Sequence, residues 1–371
     1  MQANQTTVAS LTSEAPAGRV PRDRQVVGRV LIGAASAVLL LVLAVQVAAT
    51  LGFGGGLTSW RTVAVAYAGW SVALCVGLVW TRGLAGERAA FLLPAVLLTV
   101  AFVIFPTFYA LFIAFSKWNL SGAGGREFNG LDNFQQLFRD GGYWNAVVNM
   151  VYYLAAVAFQ YVVAFALALM LNQNIRGQKF FRVVFLLPFM LSPVAVSFMI
   201  GRSLLNSQYG PIIPVLEAFG FRNVSFYEDP WPARLNIMLM DAWYSIPFLM
   251  VLLLAGLQAI PPEVLEAAKI DGAAAGAAFR TIVFPLMLPV SITALVLRII
   301  FEFKLLDVVR VVTNGNPGGA TDTVSLFIFR EGIEKQNVGY ATALSQFYLL
   351  LIVVAITVIL AGASAVLRRV A

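Results

Sequence analysis

Long apolar stretches broken by shorter polar ones set the plan of this chain. Eight stretches are long and apolar enough to be bilayer-crossing helices, at roughly 30–53, 62–81, 89–115, 146–171, 183–205, 236–258, 286–303 and 343–366. Pro94 and Pro106 fall inside the third, and membrane helices tolerate such interruptions. Residues 1–28 are rich in Ser, Thr, Ala, Gln and Arg and predict a disordered tail. Gly54-Gly55-Gly56 predicts a short turn. The polar breaks alternate in kind. Those at 82–88, 172–182 and 259–285 are short and carry clustered Arg and Lys, whereas 116–145, 206–235 and 304–342 are longer and mixed in charge. Basic residues favour the cytoplasmic side, so the pattern predicts both termini in the cytoplasm. The fold class expected is an all-α polytopic transmembrane bundle.

Composition agrees. Of 371 residues, 60% are hydrophobic and 12% charged, with a mean hydropathy of +0.83, which describes an integral membrane protein. The net charge of +7 does not point to nucleic acid, because most basic residues sit at the ends of apolar runs. Cys75 is the single cysteine, so no intrachain disulfide can form and a thiolate metal site is not expected. The absence of histidine removes imidazole acid–base chemistry and the commonest metal ligand. No Gly-x-x-x-x-Gly-Lys-Ser/Thr motif occurs, so an ATP-hydrolysing role is not expected of this chain.

One polar island stands out between the sixth and seventh spans. Pro261 and Pro262 suit the start of a helix, and Glu263 and Glu266 favour the positive end of its dipole. Gly272 can take a left-handed conformation and stop that helix. Ala273–Phe284 predicts a second short helix ending before Pro285, giving a compact helix–turn–helix beside the membrane.

Glu266-Ala267-Ala268, then Asp271-Gly272, then Ile282-x-Phe284-Pro285 resembles the EAA loop of binding-protein-dependent ABC importer permeases, with Phe284 where that family often has Leu. The resemblance implies a type I ABC importer permease fold. It also implies a coupling surface at Glu266, Ala267, Ala268, Asp271, Gly272 and Pro285 that docks on a cytoplasmic ATPase. The expected partners are two ATPase subunits, a second permease and an extracytoplasmic solute-binding protein. ATP and Mg would be bound by the ATPase and no cofactor by this chain. The expected location is the inner membrane.

Further segments resemble the carbohydrate-uptake branch of the family. They are Arg176-Gly177 through Phe185-Leu186-Leu187-Pro188, the string Phe128-x-Gly130-Leu131-Asp132-Asn133-Phe134, and Thr313-Asn314-Gly315-Asn316-Pro317 through Thr323. The match is greatest with the larger, maltose-type subunit, which has two extra N-terminal spans. Residues 29–82 would be those extras and 83–371 the six-helix core, with the coupling loop at 259–285. Carried over residue by residue, that resemblance implies solute contacts at Phe189, Ser192, Tyr244, Ser245, Phe248, Arg298, Phe301, Glu302 and Leu305. Aromatic faces suit the C–H surface of a sugar, and ionisable residues inside a span are functional candidates. Arg298 and Glu302 are four apart and can pair, either to grip solute or to lock the helix to a neighbour. Asp241 and Arg202 read as interfacial or structural. A neutral sugar or polyol is the expected solute, with an acidic sugar or glycerol phosphate as the alternative. An ion-coupled secondary transporter would leave the EAA-like loop without a purpose.

Overall fold

The computed structural model describes residues 20–50, 60–122, 124–173, 176–206, 208–221 and 225–370. The glycine turn at 54–56 and residues 1–19 of the expected tail lie outside them. The chain divides into two compact units, Met1–Tyr109 and Ala110–Ala371.

The first unit holds α1 (Arg22–Thr50), α2 (Arg61–Arg82) and most of α3 (Leu84–Ala114). α1 starts before the expected boundary at residue 29, because the basic residues Arg22, Arg24 and Arg29 continue the helix rather than ending a tail. Close backbone approach joins α1 to α2: a Cβ on Gly28 would sit 2.9 Å from the Gly77 carbonyl oxygen. Small residues permit such packing in membranes. Trp70 Nε1 donates to Ser36 Oγ at 2.9 Å, and Tyr67 Oη donates to the Leu97 carbonyl at 2.7 Å.

The second unit begins with the end of α3 and a small hairpin, in which Ser116–Lys117 pairs antiparallel with Glu127–Phe128. Then come α4 (Asp132–Arg139), α5 (Gly141–Asn172), α6 (Gln178–Met190) and α7 (Pro193–Leu204). They are followed by α8 (Ile212–Ala218), α9 (Pro230–Gln258), α10 (Pro262–Ile270) and α11 (Ala275–Glu302). Last are α12 (Asp307–Val312), α13 (Val324–Phe329) and α14 (Val338–Val370). Among the described residues, seven helices are long and apolar enough to cross a membrane. The bent pair α6–α7 is apolar enough only when taken together, and counted as one broken span it brings the number to eight.

Three sequence expectations need correction. The stretch 183–205 is not one straight span: α6 and α7 meet at 92°. Leu191 (ψ 155) and Ser192 (ψ 131) are extended there, the conformation that Pro193 forces on the residue before it. The sixth span starts at Pro230 rather than 236, since a proline fits the first helical position, where its missing N–H is not needed. The helix after Gly272 does not end before Pro285 but runs on to Glu302. A wide π-type turn at Phe279–Val283 absorbs the proline, as another at Val100–Ile104 does before Pro106.

α5, α9 and α11 pack together around two separate apolar cores. One lies towards the 303–337 end and includes Met150, Tyr153, Ile237, Met240 and Phe303. The other lies towards the 259–274 turn and includes Phe165, Ala168, Leu249, Leu253 and Met287. Gln160, Asp241 and Arg298, one from each of these three helices, lie between the two cores in sequence.

Candidate functional site

The 259–274 turn is closed by its own backbone. Pro262 opens α10 and Glu263 lies in its first turn. At the other end Gly272 has φ +74°. Its N–H donates to the Lys269 carbonyl at 3.1 Å, and the Ala273 N–H donates to the Ala268 carbonyl at 2.9 Å. That pair of bonds is the Schellman arrangement, which needs a left-handed residue at this position. Ala268 is buried and anchors the helix, while Glu266, Ala267, Asp271 and Gly272 are exposed. Ile270 is 87% exposed, an apolar side chain on the same polar turn. Pro285 is half-buried inside α11. It is therefore set apart from the exposed turn by the wide helical turn at Phe279–Val283.

The nine expected solute contacts divide into groups. Phe189, Tyr244, Phe248 and Phe301 come together from α6, α9 and α11. The Phe189 ring lies 5.5 Å from Tyr244 and 5.6 Å from Phe248, and Phe248 meets Phe301 edge-on at 5.8 Å. Phe301 is 53% exposed, Phe189 is also exposed, and the other two are half-buried. They form an aromatic surface with open faces. Ser192 is exposed at the α6–α7 bend. Lys304 lies 5.9 Å from the Phe301 ring, a cation–π distance.

Arg298, Glu302, Ser245 and Leu305 do not join that surface. Arg298 is 2% exposed and Glu302 1% exposed, within this chain alone. Arg298 pairs with Asp241 of α9, and its Nη2 lies 2.5 Å from Glu302 Oε2. Arg298 Nε donates to Gln160 Oε1 of α5 at 2.9 Å, and Gln160 Nε2 donates to Asp241 Oδ2 at 2.7 Å. Ser245 Oγ donates to Asp241 Oδ1 at 3.4 Å. A guanidinium has a planar fork of donors, so one arginine can serve three helices at once. Its helix turns this face inward, which is why these side chains are covered while Phe301 is open. Of the two readings of Asp241, interfacial or structural, its burial and its bonds to Arg298, Gln160 and Ser245 agree with the structural one. Leu305 is buried in the core towards the 303–337 end, and its carbonyl accepts from Thr323 Oγ1 at 2.7 Å.

A second polar set, not expected from the sequence, holds the 313–323 loop. Asn145 Nδ2 donates to the Gly319 carbonyl at 2.7 Å, and Asn149 Nδ2 donates to the Gly319 and Asp322 carbonyls, both at 3.0 Å. Tyr153 Oη donates to the Thr321 carbonyl at 3.1 Å, and Arg234 Nε donates to the Ala320 carbonyl at 2.8 Å. The Arg234 guanidinium also lies 5.1 Å from each of the Tyr152 and Trp231 rings. Asp322 pairs with Arg330, whose guanidinium burial lowers in pKa while Glu334 and Glu331 raise it. The signal for this set was present: Asn145, Asn149 and Arg234 are polar residues in apolar helices.

Residues 142–371 match the family described as the binding-protein-dependent transport system inner membrane component. The trehalose/maltose transport system permease protein MalF of Thermococcus litoralis is 31% identical over 262 residues, which is 70% of this chain and 88% of that one. The sulfoquinovosyl glycerol transport system permease SmoG of Agrobacterium fabrum is 30% identical, over 72% of this chain and 88% of that one. The sn-glycerol-3-phosphate transport system permease UgpA of the same organism is 31% identical, over 71% and 89%. Among solved structures, a chain of the bacterial alginate ABC transporter complexed with its alginate-bound periplasmic protein superposes with a TM-score of 0.66. That superposition covers 76% of this chain and 95% of that one at 21% identity, so it shows a common fold. The chain belongs to the family of binding-protein-dependent transport system inner membrane components: it is a multi-pass permease of an ABC importer, whose ATPase is a separate subunit.

Proposed function

We propose that this permease conducts a sugar-like polyhydroxy solute across the inner membrane, along a path that passes the aromatic surface of Phe189, Tyr244, Phe248 and Phe301. The observation that carries the reading is that surface: four rings from three apolar helices, with open faces. Ring faces suit the C–H side of a pyranose or a polyol chain. Ser192, exposed at the neighbouring bend, offers a hydroxyl. Arg298 and Glu302, with Ser245, act from behind by holding α5, α9 and α11 in register. Relatives named for trehalose/maltose and for glycerol-3-phosphate support a solute of this size and polarity.

In this reading a second permease closes the path, and an external binding protein delivers the solute. Two ATPase subunits, binding ATP and Mg, engage the permeases from the cytoplasm. Glu266, Ala267, Asp271, Gly272 and the uncovered Ile270 form this chain's contact, with Ala268 and Pro285 holding it in shape. Both termini are then cytoplasmic. Arg22–Thr50 and Arg61–Arg82 supply two helices beyond the six-helix core of 83–371. A second reading, an acid-bearing solute, is favoured by Lys304 beside Phe301.

The test is reconstitution of the complete transporter in vesicles with its binding protein, scoring ATP hydrolysis driven by trehalose, maltose, glycerol and glycerol 3-phosphate. Phe301→Ala and Phe248→Ala should each cut solute-driven turnover by about two- to tenfold while leaving complex assembly intact, on the scale of lost aromatic contacts. Undiminished turnover in both variants would reject the aromatic surface as the path.

A further inference from the structure

The end of the second unit opposite the 259–274 turn contains a cavity of about 520 Å³ between α7, α12 and the start of the 313–323 loop. Its wall includes Arg202, Tyr227, Arg310, Asn314, Asn316 and Glu334. That size is within the range of small-molecule sites and far exceeds what a single side chain would fill. Its chemistry is unlike that of the aromatic surface. Two guanidiniums face one carboxylate, and neither Arg202 nor Arg310 has an ion-pair partner among the described residues. Glu334 is also within electrostatic reach of Arg330, so its charge is shared. The site carries a net positive charge.

It is also built rather than loose. The Arg310 guanidinium is stacked 4.1 Å over the Phe329 ring, which fixes its plane. Tyr227 Oη donates to the Gly201 carbonyl beside Arg202. Burial pushes that phenol above its ordinary pKa, partly offset by Asn236 and by the Arg202 charge, so it stays a donor. Asn314 is held at φ +49°, a left-handed conformation, with its N–H on the Val309 carbonyl at 2.8 Å. The loop behind it is strapped by Asn145, Asn149, Tyr153 and Arg234.

We propose that this cavity is an entry subsite that takes the acidic group of an anionic carbohydrate, a carboxylate, sulfonate or phosphate, on Arg202 and Arg310, with Asn314 and Asn316 meeting its hydroxyls. This rests on the reading of the chain as a permease for a sugar-like solute and chooses the acid-bearing class within it. A planar guanidinium matches two oxyanion oxygens at once, and a pair of them favours an anion over a neutral sugar of the same size. The buried Arg298 cannot do this, because Asp241 and Glu302 already neutralise it.

The experiment uses the purified complete transporter without its binding protein, and compares glucuronate with glucose by saturation-transfer NMR. Glucuronate should bind about tenfold or more tightly than glucose, and added salt should narrow the gap. Arg202→Gln and Arg310→Gln should each weaken glucuronate about tenfold and leave glucose unchanged. Arg310→Gln loses its stacking on Phe329 as well. Arg202→Gln, which has no ionic partner to lose, keeps the test valid if that variant assembles poorly. Equal affinity for the two probes, or glucuronate binding indifferent to both variants, would overturn the proposal. ATP hydrolysis by the same preparation with a loaded binding protein is scored separately. Its failure would strike at the importer reading and not at the subsite.

Discussion

Removing Arg298 should be among the most damaging single changes in the second unit. Its guanidinium is shared between two buried carboxylates, Asp241 and Glu302, and also donates to Gln160. Arg298→Ala would leave both acids uncompensated in a site with almost no water access. Stripping one partner from a buried pair costs about 3–5 kcal/mol, or roughly two to four powers of ten in the folded-to-unfolded ratio. At roughly 2–4 °C per kcal/mol, the melting midpoint should fall by some 6–20 °C. Arg298→Met with Glu302→Leu should recover only part of this, since Asp241 keeps its charge with only Gln160 and Ser245 beside it. Arg298→Met, Asp241→Asn and Glu302→Leu together remove all charge and preserve an acceptor for Gln160, so stability and transport should both return. Heating detergent-purified protein and following the surviving peak by size exclusion measures the order: wild type and triple variant highest, double variant between, Arg298→Ala lowest. A wild-type melting curve for Arg298→Ala would refute the argument. So would a triple variant that melts near wild type yet carries no solute, because that outcome assigns the pair to binding.

Two further outcomes are expected. Gly272→Val meets no neighbouring atom but forces a branched residue to φ +74°, at about 1–2 kcal/mol or more. It should leave membrane insertion intact while reducing ATPase co-purification and transport, whereas Glu266→Ala should weaken docking without backbone strain, and wild-type ATPase recovery with both variants would oppose a coupling role. Asn149→Leu removes two donated bonds to the 313–323 loop and its acceptance from Arg234 at 3.1 Å. At about 1 kcal/mol each the loop should become cleavable by protease at least tenfold faster, as read by gel densitometry.

What could be read from the sequence followed chain locality. Gly272 declared its conformation because a glycine after an amphipathic helix has few other uses, and Arg298–Glu302 declared its pairing because a four-residue spacing is a neighbour distance on any helix. The partners of that pair were not readable. Gln160 and Asp241 lie 138 and 57 positions away, and only the register of three helices brings them to Arg298. Burial was hidden for the same reason: residue type does not say whether a helix face meets a pathway or another helix. The break in the fifth span was written in Ser192-Pro193, yet an apolar window reports only how greasy a stretch is, not its direction. Pro285 misled in the opposite sense, since a wide turn lets a helix pass a proline that sequence rules treat as an end.

The right-angled bend between α6 and α7 also constrains what can surround this chain. At the bend the Leu191 N–H still reaches the Pro188 carbonyl and the Ser192 carbonyl accepts from Val196, but the Ser192 N–H and the Leu191 carbonyl have no backbone partner among the described residues, and lipid tails would offer them no hydrogen bonds. This chain does not cover the corner itself: Met190, Leu191 and Ser192 are all exposed. Something able to solvate peptide groups must therefore occupy that side, either water in a lumen or another polypeptide. The flank bearing Phe189 and Ser192 is thus poorly served by acyl chains alone, and a solitary copy of this permease in a bilayer would be driven to find company there.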